Sequence, residues 1–149
     1  MHTAFSKILC GDSRDLRQIP DGSVDLIVTS PPYPMIQMWD DCFAAQSPEA
    51  AAALRDGRYD DAFEAMHAVL DAVWNECLRV LRPSGFLCIN IGDATRTCGG
   101  TFRLFSNHTR ILRHFMDKGC RVLPDILWRK ASNAPNKFMG SGMYPAGAY

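Results

Sequence analysis

The sequence predicts an α/β protein built on a doubly wound, mainly parallel sheet. Short segments that are nearly continuous in apolar residues, as strands covered on both faces are, alternate with stretches whose apolar residues recur at helical spacing. Three of the strand-like runs also end abruptly in polar punctuation, at Gly11-Asp12, Ser30-Pro31-Pro32-Tyr33 and Gly92-Asp93. In a parallel sheet these ends share one edge, where ligands bind. With 149 residues, 47% of them apolar and 21% charged, the chain can bury one core and lacks the composition of a disordered polymer.

In chain order, Lys7–Cys10 reads as the first strand, broken by Gly11-Asp12-Ser13, with Ser13 capping a short helical turn through Leu16 and Ile19. Pro20-Asp21-Gly22 makes a turn into the second strand, Val24–Thr29, which stops at Ser30-Pro31-Pro32-Tyr33-Pro34. Ser47 caps a short helix that has Pro48 in its first position, runs to Arg55 and is closed by Gly57. A longer helix begins with Asp61 and Glu64 as a capping box. Its core stripe is Phe63, Met66, Leu70, Val73, Trp74, Cys77, Leu78 and Leu81, and Arg82-Pro83-Ser84-Gly85 ends it. Phe86–Ile91 is the third strand. A last helix starts at Ser106, places Ile111, Leu112, Phe115 and Met116 on one face and ends before Gly119; Arg121–Trp128 follows as a fourth strand. Residues 131–149, with three Gly, two Pro and two Asn and no period, read as a loop, so the domain occupies residues 1–130.

The net charge of zero hides a split. Residues 1–74 hold 5 Lys/Arg against 12 Asp/Glu, and residues 75–149 hold 11 against 4. The basic half suits a polyanion, and the acidic half could equally be its intramolecular counterweight. Six cysteines without a C-x-x-C pair read as reduced, mostly buried thiols, and the four histidines show no metal spacing. No apolar run reaches the roughly 18 to 20 residues of a membrane span, and no signal peptide opens the chain, so a cytoplasmic protein is expected.

The Ser30–Tyr33 strand end is the most specific chemical signal. Pro31 and Pro32 have no N–H and favour extended geometry, which leaves the Ser30 and Pro31 carbonyls free to accept from a ligand beside an aromatic plane. An exocyclic base amine is a poor nucleophile because its lone pair is delocalised into the ring. Acceptors on its N–H bonds, from Ser30 Oγ and the Pro31 carbonyl, would help rehybridise it, while Tyr33 stacks on a base swung out of the duplex.

Leu26-Ile27-Val28-Thr29-Ser30-Pro31-Pro32-Tyr33 resembles the motif of the amino-group DNA methyltransferases, which use S-adenosyl-L-methionine (AdoMet). The Ser-Pro-Pro-Tyr form is typical of N4-cytosine enzymes, whereas Asp or Asn in the first position is commoner in N6-adenine enzymes. Gly11-Asp12, Arg79–Gly85, Asn90-Ile91-Gly92-Asp93 and Ile126–Lys130 extend the resemblance in the order of the circularly permuted β-class, over nearly the whole chain. It implies a Rossmann-like methyltransferase fold, with Asp12 and Ser13 at the adenine of AdoMet and Ser30, Pro31, Pro32 and Tyr33 holding the target base. Asp93 would support Ser30 or take the released proton, or else serve as an acidic cap. Double-stranded DNA is the implied partner and a restriction-modification system the implied setting; the charge split, rather than the resemblance, selects Arg129, Lys130, Asn133 and Lys137 of the basic half as the expected DNA contacts. No cysteine is needed as a nucleophile and no metal is implied.

The glycine-rich AdoMet loop of that class, of Phe-x-Gly-x-Gly type, does not occur in these residues. The expectation is therefore a partial fold lacking the strands of that loop: a split subunit completed by a second polypeptide, or a truncated product, inactive without the other half. Adenine N6 methylation is the alternative on the same scaffold. A catalytically inactive nucleic-acid-binding module is the alternative from another class.

Overall fold

A computed structural model of the chain describes residues 5–127. Strand β1 (Val24–Thr29) has the bounds its sequence predicts, because the turn at Asp21-Gly22 and the prolines after Ser30 stop it at either end. A 3-10 turn (Gln37–Trp39) leads into α1 (Asp40–Ala44). Helix α2 (Pro48–Arg55) begins as expected, with Ser47 Oγ accepting from the Ala50 amide at 3.1 Å.

Helix α3 (Tyr59–Val80) starts before the expected capping box. Arg58 is its N-cap without a side-chain cap bond, and the Asp61 carboxylate pairs with Arg58 at 2.5 Å. The apolar stripe is core: Met66, Leu70, Trp74 and Cys77 are buried against Phe43 of α1, Ala50 and Ala53 of α2, and Phe105, Ile111 and Phe115 further on. Helix α4 (Asn107–Asp117) closes that core, with the rings of Phe115 and Trp74 6.0 Å apart. Met116, expected on its inner face, is 61% exposed.

Strand β2 (Leu81–Ile89) pairs with β1 in parallel, in the register Leu26↔Phe86 to Thr29↔Ile89, after an irregularity between Val24 and Leu26. It starts at the residue following α3 and ends two residues earlier than predicted. Strands β3 (Ala94–Cys98) and β4 (Thr101–Phe105) form an antiparallel hairpin that the sequence analysis did not anticipate. Its loop is Gly99-Gly100, both at positive φ (56° and 81°), which is the backbone a two-residue hairpin turn of the favoured twist requires.

The described residues thus form an α/β fold with a two-stranded parallel sheet and a separate hairpin. Two predicted strands do not form among them. Lys7–Cys10 takes no strand structure and is exposed, since no neighbour among the described residues offers it a ladder. Residues 121–127 are likewise irregular. Pro124 removes a ladder donor there, and Ile126 and Leu127 are 96% and 91% exposed. Trp128, the loop at residues 131–149, and Arg129, Lys130, Asn133 and Lys137 lie outside the described residues.

Candidate active site

Where β1 ends, the parallel pairing continues for one more bond, from the Asn90 amide to the Thr29 carbonyl at 2.8 Å. That bond brings Asn90 over the Ser30–Tyr33 segment. Asn90 Nδ2 donates to Ser30 Oγ at 3.3 Å and to the Tyr33 hydroxyl at 3.2 Å, and the two oxygens are 3.4 Å apart. With the amide as donor to both, each hydroxyl keeps its own hydrogen for its neighbour or for a ligand. Two residues on, Gly92 lets the Tyr33 ring lie against its backbone: a Cβ there would stand 3.4 Å from Tyr33 Cε2. Sequence reasoning took only Asp93 from the Asn90–Asp93 run and missed Asn90 and Gly92. The available signal was their place at the end of a strand that neighbours β1.

The turn after Tyr33 is strained. Ile36 N donates to the Tyr33 carbonyl at 3.2 Å, and Met35 adopts φ 65° although it is a bulky residue, 1% exposed. With Pro34 before it, this is a turn of type II, whose third position favours glycine; a non-glycine residue there costs about 1 kcal/mol or more.

Asp12 and Ser13 share a cleft of about 600 Å³ with Thr29, Ser30, Pro31 and Pro32, walled by Leu70, Val73 and Trp74 of α3. The Asp12 carboxylate, not Ser13, organises the local turn, accepting from the Arg14 amide at 2.9 Å and from its guanidinium. Those bonds hold Asp12 down to about 2, so it is ionised at neutral pH. The segment after it is tied to α3: Glu76 Oε2 accepts from Leu16 N at 2.7 Å, and Arg79 donates to the Ile19 carbonyl at 3.1 Å.

Asp93 bonds to the residues that open α4. It accepts from the His108 amide in the first turn of α4 at 3.1 Å, meets His108 Nδ1 at 2.8 Å and receives the Ser106 hydroxyl at 3.3 Å. This is the geometry of an acidic cap, reached across the hairpin.

The charge split is in large part internal. Arg79, Arg82, Arg96, Arg103 and Arg110 of the basic half pair with Asp21, Asp25, Asp40, Asp60 and Asp71 of the acidic half. Arg96 and Asp40 are the most enclosed, both side chains 18% exposed and joined by two bonds. The thiols are less uniformly buried than expected: Cys77 and Cys98 are buried, Cys10 and Cys88 exposed, and all six are free. Among the described residues no group of His, Cys, Asp or Glu could hold a metal ion, and no helix is long and apolar enough to cross a membrane.

Residues 24–143 match the family model N6_N4_Mtase, DNA methylase. The chain belongs to this DNA methylase family. Among curated proteins, the methylase chain is 46% identical to the type II methyltransferase M.MjaI of Methanocaldococcus jannaschii, over 99% of its own length and 52% of that protein. It is also 46% identical to the type II methyltransferase M.MthZI of Methanothermobacter thermautotrophicus, over 96% and 41% respectively. The methylase chain thus spans about half the length of these curated relatives. A solved relative is TTHA0409 of Thermus thermophilus, described as a putative DNA modification methylase and crystallised with S-adenosyl-L-methionine. It is 31% identical, with a TM-score of 0.62, over 83% of the methylase chain and 45% of the other.

Proposed function

We propose that this DNA methylase chain carries the target-base half of a site-specific methyltransferase of a restriction-modification system. It moves a methyl group from AdoMet to an exocyclic amine of a base flipped out of double-stranded DNA, cytosine N4 in preference to adenine N6. The observation that carries the reading is the shared cleft, with an ionised carboxylate at one side and the Ser30–Pro32 acceptors at the other. Support also comes from the type II methyltransferase relatives and from the AdoMet that TTHA0409 binds.

The donor set fits an adenosyl group. Asp12 offers acceptors for an amine or hydroxyl once Arg14 swings aside, Ser13 stands next to it, and the side chains of α3 supply an apolar wall. When bound, AdoMet supplies a methyl group made electrophilic by its sulfonium. The chain's own residues prepare the nucleophile: Ser30 Oγ and the Pro31 carbonyl accept the amine hydrogens, which localises the nitrogen lone pair, and Tyr33 stacks on the base. Asn90 fixes both hydroxyls by donating to each. We assign the proton released from the amine to Asp93 and its His108 partner.

A second polypeptide with a Phe-x-Gly-x-Gly loop is proposed to complete the cofactor site, and Arg129, Lys130, Asn133 and Lys137 to contact phosphates. The test combines the chain, the candidate second polypeptide, unmethylated DNA and tritiated AdoMet, followed by digestion to nucleosides. N4-methylcytosine is expected. N6-methyladenine would establish the alternative base, and transfer that survives Ser30→Ala and Tyr33→Ala at the parent rate would overturn the assignment of the strand end.

A further inference from the structure

One buried amide ties together the two loops that frame the candidate site. Asn107, the first residue of α4 and fully buried, donates through Nδ2 to the Pro34 carbonyl at 3.1 Å and to the Gly92 carbonyl at 3.0 Å. Two carbonyls at one end of the side chain determine which atom is nitrogen, so Oδ1 must accept. It faces His67 Nε2 at 3.0 Å. His67, also fully buried, therefore carries its proton on Nε2 and leaves Nδ1 with no partner among the described residues. Burial holds this histidine down to about 4, so it is neutral at physiological pH.

The same turn is gripped from its other side. The peptide between Pro34 and Met35 gives its carbonyl to Asn107 and its N–H to Met66 Sδ, at 3.4 Å. Met66 and His67 are neighbours on α3, so the central peptide of the turn is pinned at both ends by core side chains. Rotating that peptide by about 180° would convert the turn to type I and return Met35 to negative φ. The two grips oppose the rotation. Tyr33 opens this turn, and its ring rests on Gly92, whose carbonyl Asn107 also holds.

Resting on the proposed function, we propose that Asn107, oriented by His67, is a positioning residue for the target base. It keeps the Pro34–Met35 peptide in its strained orientation and thereby sets Tyr33 and Ser30 against Asn90. The residue touches neither cofactor nor base and acts through the two backbone carbonyls. Its removal frees the turn to relax, and Tyr33 leaves Gly92.

The test begins with the isotopically labelled chain in solution. Asn107→Ala should keep a dispersed, folded NMR spectrum and lose the Overhauser contact between the Tyr33 ring and the Gly92 α-protons. Adding Met35→Gly, which removes the penalty for positive φ, should restore it. If Asn107→Ala does not fold, Met66→Leu replaces it. That variant removes the acceptor with little change of volume and should speed exchange of the Met35 amide at least tenfold. Persistence of the contact in folded Asn107→Ala, or unchanged exchange in Met66→Leu, would overturn the clamp. With DNA and tritiated AdoMet in the complete assembly, Asn107→Ala should lower kcat at least tenfold with KM for AdoMet unchanged, and Met35→Gly should recover part of the loss. An intact clamp with an unaltered rate would overturn the positioning role. Loss of the contact in the variant together with no transfer by the parent assembly would instead overturn the proposed function and leave the clamp standing.

Discussion

Along the parallel pair, Ile27, Leu87 and Ile89 pack on the buried core, whereas Leu26, Val28 and Phe86 on the same strands are 55%, 71% and 58% exposed. Parallel strands are ordinarily covered on both faces, and that is why these read as nearly continuous apolar runs. The described residues cover one face only. An apolar strand pattern therefore specifies two packing partners, and only the structure shows that the helical core supplies one of them. The outer face has the chemistry of a surface made for burial.

The largest expected effect contrasts the two faces directly. Trp74→Ala, under the inner face, should cost about 3–5 kcal/mol in denaturant unfolding, through lost burial and the cavity left behind. Val28→Ala, on the outer face, should cost about 1 kcal/mol or less. Similar losses at both positions would break the comparison.

A second expectation is a pH dependence that belongs to the packed side. His67 titrates at about 4 when folded and near its ordinary 6.5 when unfolded, so between those values the unfolded chain binds the extra proton. Stability should therefore be fully present above about pH 6.5 and fall as the pH drops to about 4, by up to about 3 kcal/mol. Unfolding curves across that window should flatten in His67→Gln. An unchanged slope would show that the buried histidine does not drive the acid response.

Smaller effects refine the boundary of the packed region. Ser47→Ala should lose the cap of α2 and about 1 kcal/mol, read from the thermal midpoint. Phe86→Lys should change stability in denaturant unfolding by only about 0.5 kcal/mol, because it places a charge on an exposed face. A large destabilisation at Phe86 would mean that something packs on that face in solution.

How much of this was legible depended on how local the cause was. The bounds of β1, the Ser47 cap and the stripe of α3 from Phe63 to Leu78 follow from residues adjacent in sequence and appear as read, whereas Leu81, read as the end of that stripe, opens β2 instead. The hairpin was not read because Ala94–Cys98 has no apolar alternation, although Gly99-Gly100 between two five-residue runs was a usable signal. Within the site, Asp12, Ser13, Ser30, Pro31 and Pro32 do share a cleft. Asn90, Gly92 and Asn107 stood out less. An amide says nothing until its partner is known, and that partner is 57 residues away for Asn90 and 73 for Asn107.

Prolines, caps and apolar periods act over a few residues, so the amino-acid order alone was enough for the class of the fold, the strand end that carries the acceptors and the family resemblance. It took the folded chain to show that arginines of the basic half neutralise carboxylates of the acidic half, that Asp93 caps α4, and that a buried asparagine joins the loops after β1 and β2. Those outcomes depend on ion pairs and hydrogen bonds between distant segments, and at the fully buried Asn107 the cost of an unpaired polar group is what selects its partners.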